Sequence, residues 1–158
     1  MRRIRVYVGT SVFGGVCDDE FADASRPFFD RVRKGEFVVL LSRLTTDELE
    51  NAPPEVLGVL QQLPPEAIER VPLSDSVHEL AEQYVRAGVL EEACRDDAIH
   101  IAAATLAGAD LVLSWNFKHI VNFRRICGYN SVNTRNGYRT MMILSPREVL
   151  GEGEDEDI

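Results

Sequence analysis

Long apolar runs are missing from this chain. No stretch of its 158 residues approaches the roughly 20 apolar residues that a membrane-spanning helix needs. The early arginines (Arg2, Arg3, Arg5) lead into a strand-like run and not into the apolar segment of a signal peptide, so a cytoplasmic protein without membrane contact is expected. Cysteine is scarce too. Cys17, Cys94 and Cys127 are odd in number, widely spaced and form no CxxC pair, which excludes a disulfide framework, gives no sign of a structural zinc site, and predicts reduced packing residues. Neither GxGxxG, GxxxxGK[ST] nor a Gly-x-Ser-x-Gly elbow occurs, which removes the common nucleotide-binding and serine-hydrolase readings. Internal repeats are absent as well. A chain of this length with 45% hydrophobic residues reads as one domain over residues 1–150. Excess positive charge is also lacking: the net charge is -9, of which -5 lies in the last eight residues, leaving -4 on residues 1–150. Residues 151–158 therefore read as an acidic, disordered tail. The mildly acidic body argues against a nucleic-acid coating protein but not against an enzyme whose own site is acidic.

What the chain does have is alternation of buried strands and amphipathic helices. Arg5-Val6-Tyr7-Val8 is a β-branched run that stops at Gly9, Thr10 and Ser11, and it predicts a first strand that delivers those three residues to a sheet edge. Asp18 or Asp19 is expected to cap a helix carrying Phe21, Phe28, Phe29 and Val32 and ended by Gly35. Phe37 to Leu41 is apolar throughout, as a strand buried on both faces should be. Thr45 and Glu48 fit a capping box, with Leu44 and Leu49 as its hydrophobic staple, so a helix is predicted to start there. A short helical piece between the Pro53-Pro54 and Pro64-Pro65 pairs, a minor strand near Val71, and an amphipathic helix over 74–87 stopped by Gly88 follow. Asp96-Asp97 opens a nearly all-apolar helix ended by Gly108; then come strand 111–113, a helical segment 117–123, strand 140–144 and helix 146–150. This order predicts a three-layer α/β/α sandwich around a mostly parallel central sheet.

The consequence is positional. Gly9, Glu48 and Asn116 each follow a strand, and Asp97 begins a helix, so all four can share the sheet end where ligands bind in open α/β folds. Carboxylate and amide oxygens suit Mg²⁺ or Mn²⁺. Each residue also has an ordinary structural role: Glu48 as the capping-box acid, Asp96 or Asp97 as a helix cap, Asn116 as a turn residue. His100, three residues after Asp97, reads first as a satisfied core histidine, and His78 and His119 as surface or packing residues. Lys118, Arg124, Arg125, Arg135 and Arg139 lie near Trp115, Tyr129 and Tyr138, a mixture able to follow a single nucleic-acid strand, although solvated surface charge is the commoner role.

Four segments in order resemble the PIN domain, the fold of VapC-type ribonuclease toxins. Val6-Tyr7-Val8-Gly9-Thr10-Ser11 is similar to the family's opening strand, which usually ends Asp-Thr-Ser. Thr46-Asp47-Glu48-Leu49 resembles its early acidic helix start, Asp97-Ala98-Ile99-His100-Ile101-Ala102 its Asp-Ala-x-x-x-Ala segment, and Leu113-Ser114-Trp115-Asn116 its Thr-x-Asp after a strand. The stretches 114–120 and 129–133 resemble a stand-alone PIN branch. The resemblance covers roughly residues 4–150 and implies a PIN-like three-layer fold and a Mg²⁺- or Mn²⁺-dependent endoribonuclease acting on RNA. It further implies a frequent homodimer, sometimes inhibited by a small antitoxin. It assigns Glu48, Asp97 and Asn116 as metal-site and catalytic positions, with Ser11 and Asp96 in support and Lys118, Arg124 and Arg125 toward substrate. Two positions depart from the pattern: Asn116 stands for an acid, and Gly9 stands where the first acid is expected. Three readings follow: a metal-dependent ribonuclease scaffold impaired at Gly9, a catalytically silent PIN-like module binding RNA or protein, and a small-molecule phosphohydrolase using the same acids.

Overall fold

A computed structural model describes residues 3–151 of the chain; the tail expected over 151–158 lies, apart from Gly151, outside the described residues. The first strand, β1, spans Ile4–Val8 and runs into a short helix α1, Thr10–Gly15. Then follow α2 (Ala22–Arg33), β2 (Phe37–Leu41), α3 (Arg43–Glu50), α4 (Pro54–Gln61), a 3-10 turn at Pro65–Ala67 and β3 (Ile68–Arg70). The second half holds α5 (Asp75–Arg86), α6 (Arg95–Ala107), β4 (Leu111–Leu113), α7 (Phe123–Arg135), β5 (Ile143–Leu144) and α8 (Pro146–Leu150).

Among the described residues all four strand pairings are parallel, in the order β3-β2-β1-β4-β5. Side chains in a strand alternate between faces, and here the alternation builds two cores. Tyr7, Val38, Leu40 and Val112 join the α5, α6 and α7 side. Val6, Val8, Val39, Leu41, Leu111 and Leu113 join the side of α1, α2 and α4. The register aligns them in rows, Val6 beside both Val39 and Leu111, and Tyr7 beside both Leu40 and Val112. This is the predicted three-layer α/β/α sandwich. The chain winds outward from β1 through β2 to β3, then returns past β1 to β4, so the order reverses between β1 and β4. A crevice opens there at the carboxyl ends of the strands.

Several local expectations need correction. The cap of α3 is Ser42, whose hydroxyl accepts from the Thr45 amide, so the helix starts ahead of the predicted Thr45–Glu48 box and Glu48 lies in its second turn. Neither Asp96 nor Asp97 caps α6; Cys94 holds the cap position without a side-chain bond to the helix amides. Residues 117–123 form turns up to the start of α7, which runs to Arg135. The polar sequence of α7 hides it. Its Asn133 is fully buried, yet its side chain bonds the Tyr84 hydroxyl, Thr105 and the Arg139 carbonyl, tying α7 to α5 and α6. Cys17 and Cys127 are exposed and not packing residues.

Gly15 is the last residue of α1. A Cβ on Gly15 would lie 2.4 Å from Ser25 Oγ and 2.9 Å from Trp115 Nε1, the two atoms that hydrogen-bond each other at 2.8 Å beneath Phe21. Gly15→Ala is therefore expected to lower stability by about 2 kcal/mol, roughly 4–8 °C in Tm, readable in a thermal melt.

Candidate functional site

The end of β1 sits against the end of β4: the Gly9 amide donates to the Leu113 carbonyl at 2.8 Å. Beyond this contact the crevice holds a pocket of about 120 Å³ lined by Gly9, Thr10, Ser11, Glu48, Asp97, His100, Ser114 and Asn116, with Tyr7, Val112 and Ile120 at its floor. The predicted residues Gly9, Ser11, Glu48, Asp97 and Asn116 thus line one pocket. Asp96 is exposed and does not line it.

Glu48 enters from α3 and is held on two sides. The Thr10 hydroxyl donates to its Oε1, and His100 Nε2 lies 3.1 Å and 3.2 Å from its two oxygens. His100 is buried, and its Nδ1 lies 2.7 Å from the Tyr7 hydroxyl, which also contacts Ser42 Oγ at 2.8 Å. With Nε2–H toward Glu48 and Nδ1 against the Tyr7 hydroxyl, each group of this network has a partner. His100 is thus the satisfied core histidine expected, and it also orients a carboxylate. Burial pushes the Glu48 carboxyl up, but the His100 hydrogen bond and charge together with Thr10 outweigh it and hold the group below its ordinary range. Burial pushes the Tyr7 hydroxyl up to about 12.

Because the folded state lowers the Glu48 pKa, ionised Glu48 contributes stability above its unfolded value. That contribution is lost as pH falls below 4.5 and through the folded value. In chelator-treated protein, Glu48→Gln is expected to flatten this acid limb of the Tm-against-pH curve.

Asp97, in the first turn of α6, is half-buried and meets His119 Nδ1 at 3.2 Å. Burial pushes its carboxyl above the ordinary value, and the Glu48 charge adds to the rise against the opposing His119 and His100. Asn116 makes the turn foreseen for it: its Oδ1 accepts from the Lys118 amide at 3.1 Å and the His119 amide at 2.9 Å. Ser11 Oγ accepts from the Trp115 amide at 2.9 Å and lies 3.4 Å from Ser114 Oγ.

On the basic side, Lys118 and Arg124 are exposed, whereas Arg125 is tied to the Val89 and Lys118 carbonyls. Trp115 and Tyr129 are buried and offer no stacking surface; Phe117 and Phe123, at 49% and 83% exposure, do. Sequence reasoning also missed His119 as a partner of Asp97 and Tyr7 as the support of His100. A tyrosine inside a strand buried on both faces needs a partner for its hydroxyl, which was the available signal.

Two carboxylates, an amide oxygen and hydroxyls around one small pocket match the oxygen preference of a hard divalent cation that keeps several waters. The acids fit such an ion with little to spare, because each is already paired with a histidine and Gly9 supplies no donor.

Comparison with solved structures finds the same fold in the crystal structure of VapBC2 from Rickettsia felis bound to a DNA fragment from their promoter. The TM-score is 0.59 at 12% identity, over 90% of this chain and 98% of that one. The tyrosyl-tRNA synthetase of Aeropyrum pernix also aligns, over 90% of this chain and 52% of that one, at a TM-score of 0.47 and 15% identity. No family model matches the sequence, and no curated protein does. The sheet order, the layers and the VapBC2 likeness define a PIN-like α/β fold.

Proposed function

We propose that the chain is a PIN-like endoribonuclease scaffold that uses Mg²⁺ or Mn²⁺ and is weakened at Gly9. The observation that carries this reading is the joint placement of Glu48, Asp97 and Asn116 around Gly9, at the reversal of strand order, in one pocket. Glu48 and Asp97 would hold the cation, with Asn116 once its amide oxygen leaves the Lys118 and His119 amides, and with Ser11 in support; exposed Asp96, outside the pocket, takes no part. The bound ion supplies polarisation of a phosphodiester and a hydroxide at neutral pH. The chain's own residues orient and shelter: Thr10 and His100 fix the Glu48 carboxylate, and His119 fixes Asp97. Lys118 and Arg124, next to exposed Phe117 and Phe123, form a surface for the phosphates and bases of single-stranded RNA. A small antitoxin and a second copy of the chain are the protein partners this reading includes.

Mn²⁺-dependent cleavage of single-stranded RNA tests it. The chain cleaves slowly, chelator stops it, and Glu48→Gln abolishes it; cleavage unaffected by chelator or by Glu48→Gln overturns the reading. The absent carboxylate at Gly9 favours a second reading, a silent PIN-like module that binds RNA or a protein. RNA binding that persists in chelator without cleavage, and weakens with salt, would select its RNA form.

A further inference from the structure

Beside the oxygen-lined pocket lies a donor set of different chemistry. Cys94, Asp97 and His119 each offer a ligand atom, and these atoms lie within 4.8 Å of one another. Cys94 Sγ is 3.5 Å from His119 Nε2, while His119 Nδ1 is 3.2 Å from Asp97 Oδ2. Zinc bonds of about 2.3 Å to sulfur and about 2.0–2.1 Å to nitrogen at a tetrahedral angle separate the two donors by about 3.5 Å. The Sγ–Nε2 spacing present therefore admits the ion, and Asp97, which meets the other ring nitrogen, reaches it by turning its carboxylate within the 4.8 Å span of the set. Backbone contacts hold the segment that carries the ring. The His119 amide is fixed by Asn116 Oδ1 at 2.9 Å, its carbonyl accepts from the Tyr129 hydroxyl at 2.8 Å, and Cys94 and Asp97 are fixed one turn apart at the start of α6. His119 and Asp97 side chains retain 22% and 23% exposure, enough for an ion to enter. Chain spacing conceals the set, since Cys94 and His119 are 25 residues apart on different elements.

We propose that Cys94, His119 and Asp97 form a Zn²⁺ site separate from the Mg²⁺/Mn²⁺ pocket and sharing Asp97 with it. A thiolate and an imidazole select a borderline-soft ion over Mg²⁺, and a water completes four-coordination. Binding releases the thiol proton. Zinc occupancy engages the Asp97 carboxylate and so raises the Mn²⁺ concentration needed for cleavage; this consequence alone rests on the nuclease reading.

Titration of the reduced full chain with Co²⁺, followed by Zn²⁺, tests the site without reference to activity. The expected result is a thiolate-to-cobalt charge-transfer band that saturates at one equivalent, is displaced by Zn²⁺ and is untouched by excess Mg²⁺. Cys94→Ser removes the band, His119→Gln weakens Zn²⁺ binding on the order of 100-fold, and Glu48→Gln leaves both unchanged. No band from the folded chain, or a band that survives in Cys94→Ser and so belongs to Cys17 or Cys127, overturns the proposal. If Cys94→Ser does not fold, undiminished Zn²⁺ affinity in His119→Gln overturns it equally. A band with no Mn²⁺-dependent cleavage leaves the zinc site standing and removes only its regulatory consequence.

Discussion

Gly9→Asp is expected to raise Mn²⁺-dependent RNA cleavage on the order of 100-fold, because it adds a charged donor to a pocket that now holds two carboxylates. The backbone accepts the change. Gly9 sits at φ -70 and ψ 152, an extended conformation open to any residue. A Cβ there meets the Leu113 carbonyl at 3.2 Å and Ser114 Cβ and Oγ at 3.5 Å, so the strand ends shift by a few tenths of an ångström. The carboxylate then joins Glu48 and Asp97, and like charges in a half-buried pocket repel. The metal-free variant should therefore melt below the parent chain and recover with Mn²⁺, since a ligand that binds only the folded state stabilises it by mass action. Cleavage assays and melts with and without Mn²⁺ read both effects. Equal rates for the two chains would show that Gly9 is not the limiting position.

Asp97→Asn should act in opposite directions on activity and stability. Loss of one of two charged ligands is expected to lower cleavage on the order of 100-fold or more. The metal-free fold, by contrast, should gain stability at neutral pH. The folded state raises the Asp97 pKa, chiefly through burial, so the ionised group opposes folding. Its favourable contribution is complete below the unfolded value of 3.8 and is lost as pH rises through the folded value, where Asn carries no such penalty. Asn keeps an oxygen to accept from His119. The signature is a chelator-treated melt that is higher for Asp97→Asn at pH 7, with the difference closing on acidification. A lower melt at pH 7 would mean that the contact with His119 outweighs burial.

The middle of the sheet was legible because β2 and β4 are buried on both faces and read as short apolar runs between punctuating residues. Among the partly exposed edge strands, β5 covers only Ile143–Leu144 of the 140–144 expected, and β3 ends at Arg70, short of Val71. Gly88 and Gly108 close α5 and α6 at φ 78 and 69, as their positions predict. Glu48 was only half legible. Thr45 and Glu48 have capping-box spacing, but Ser42, three residues earlier and buried beneath Tyr7, takes the cap. Glu48 is thereby released toward Thr10 and His100. Helix α7 escaped notice because its buried face includes Asn133, whose partners come from distant segments. The same limit hid the pairing of His119 with Cys94 and Asp97. Trp115 and Tyr129 carried no mark distinguishing a stacking surface from a core residue, and both are core residues.

Calorimetric titration with Mn²⁺ of three proteins, the chain itself, Gly9→Asp and Glu48→Gln, tests the proposed metal centre most directly. Weak binding by the chain, binding at least about tenfold tighter by Gly9→Asp, and none by Glu48→Gln is the expected pattern. Mn²⁺ binding absent from both the chain and Gly9→Asp, or unaltered in Glu48→Gln, would contradict it.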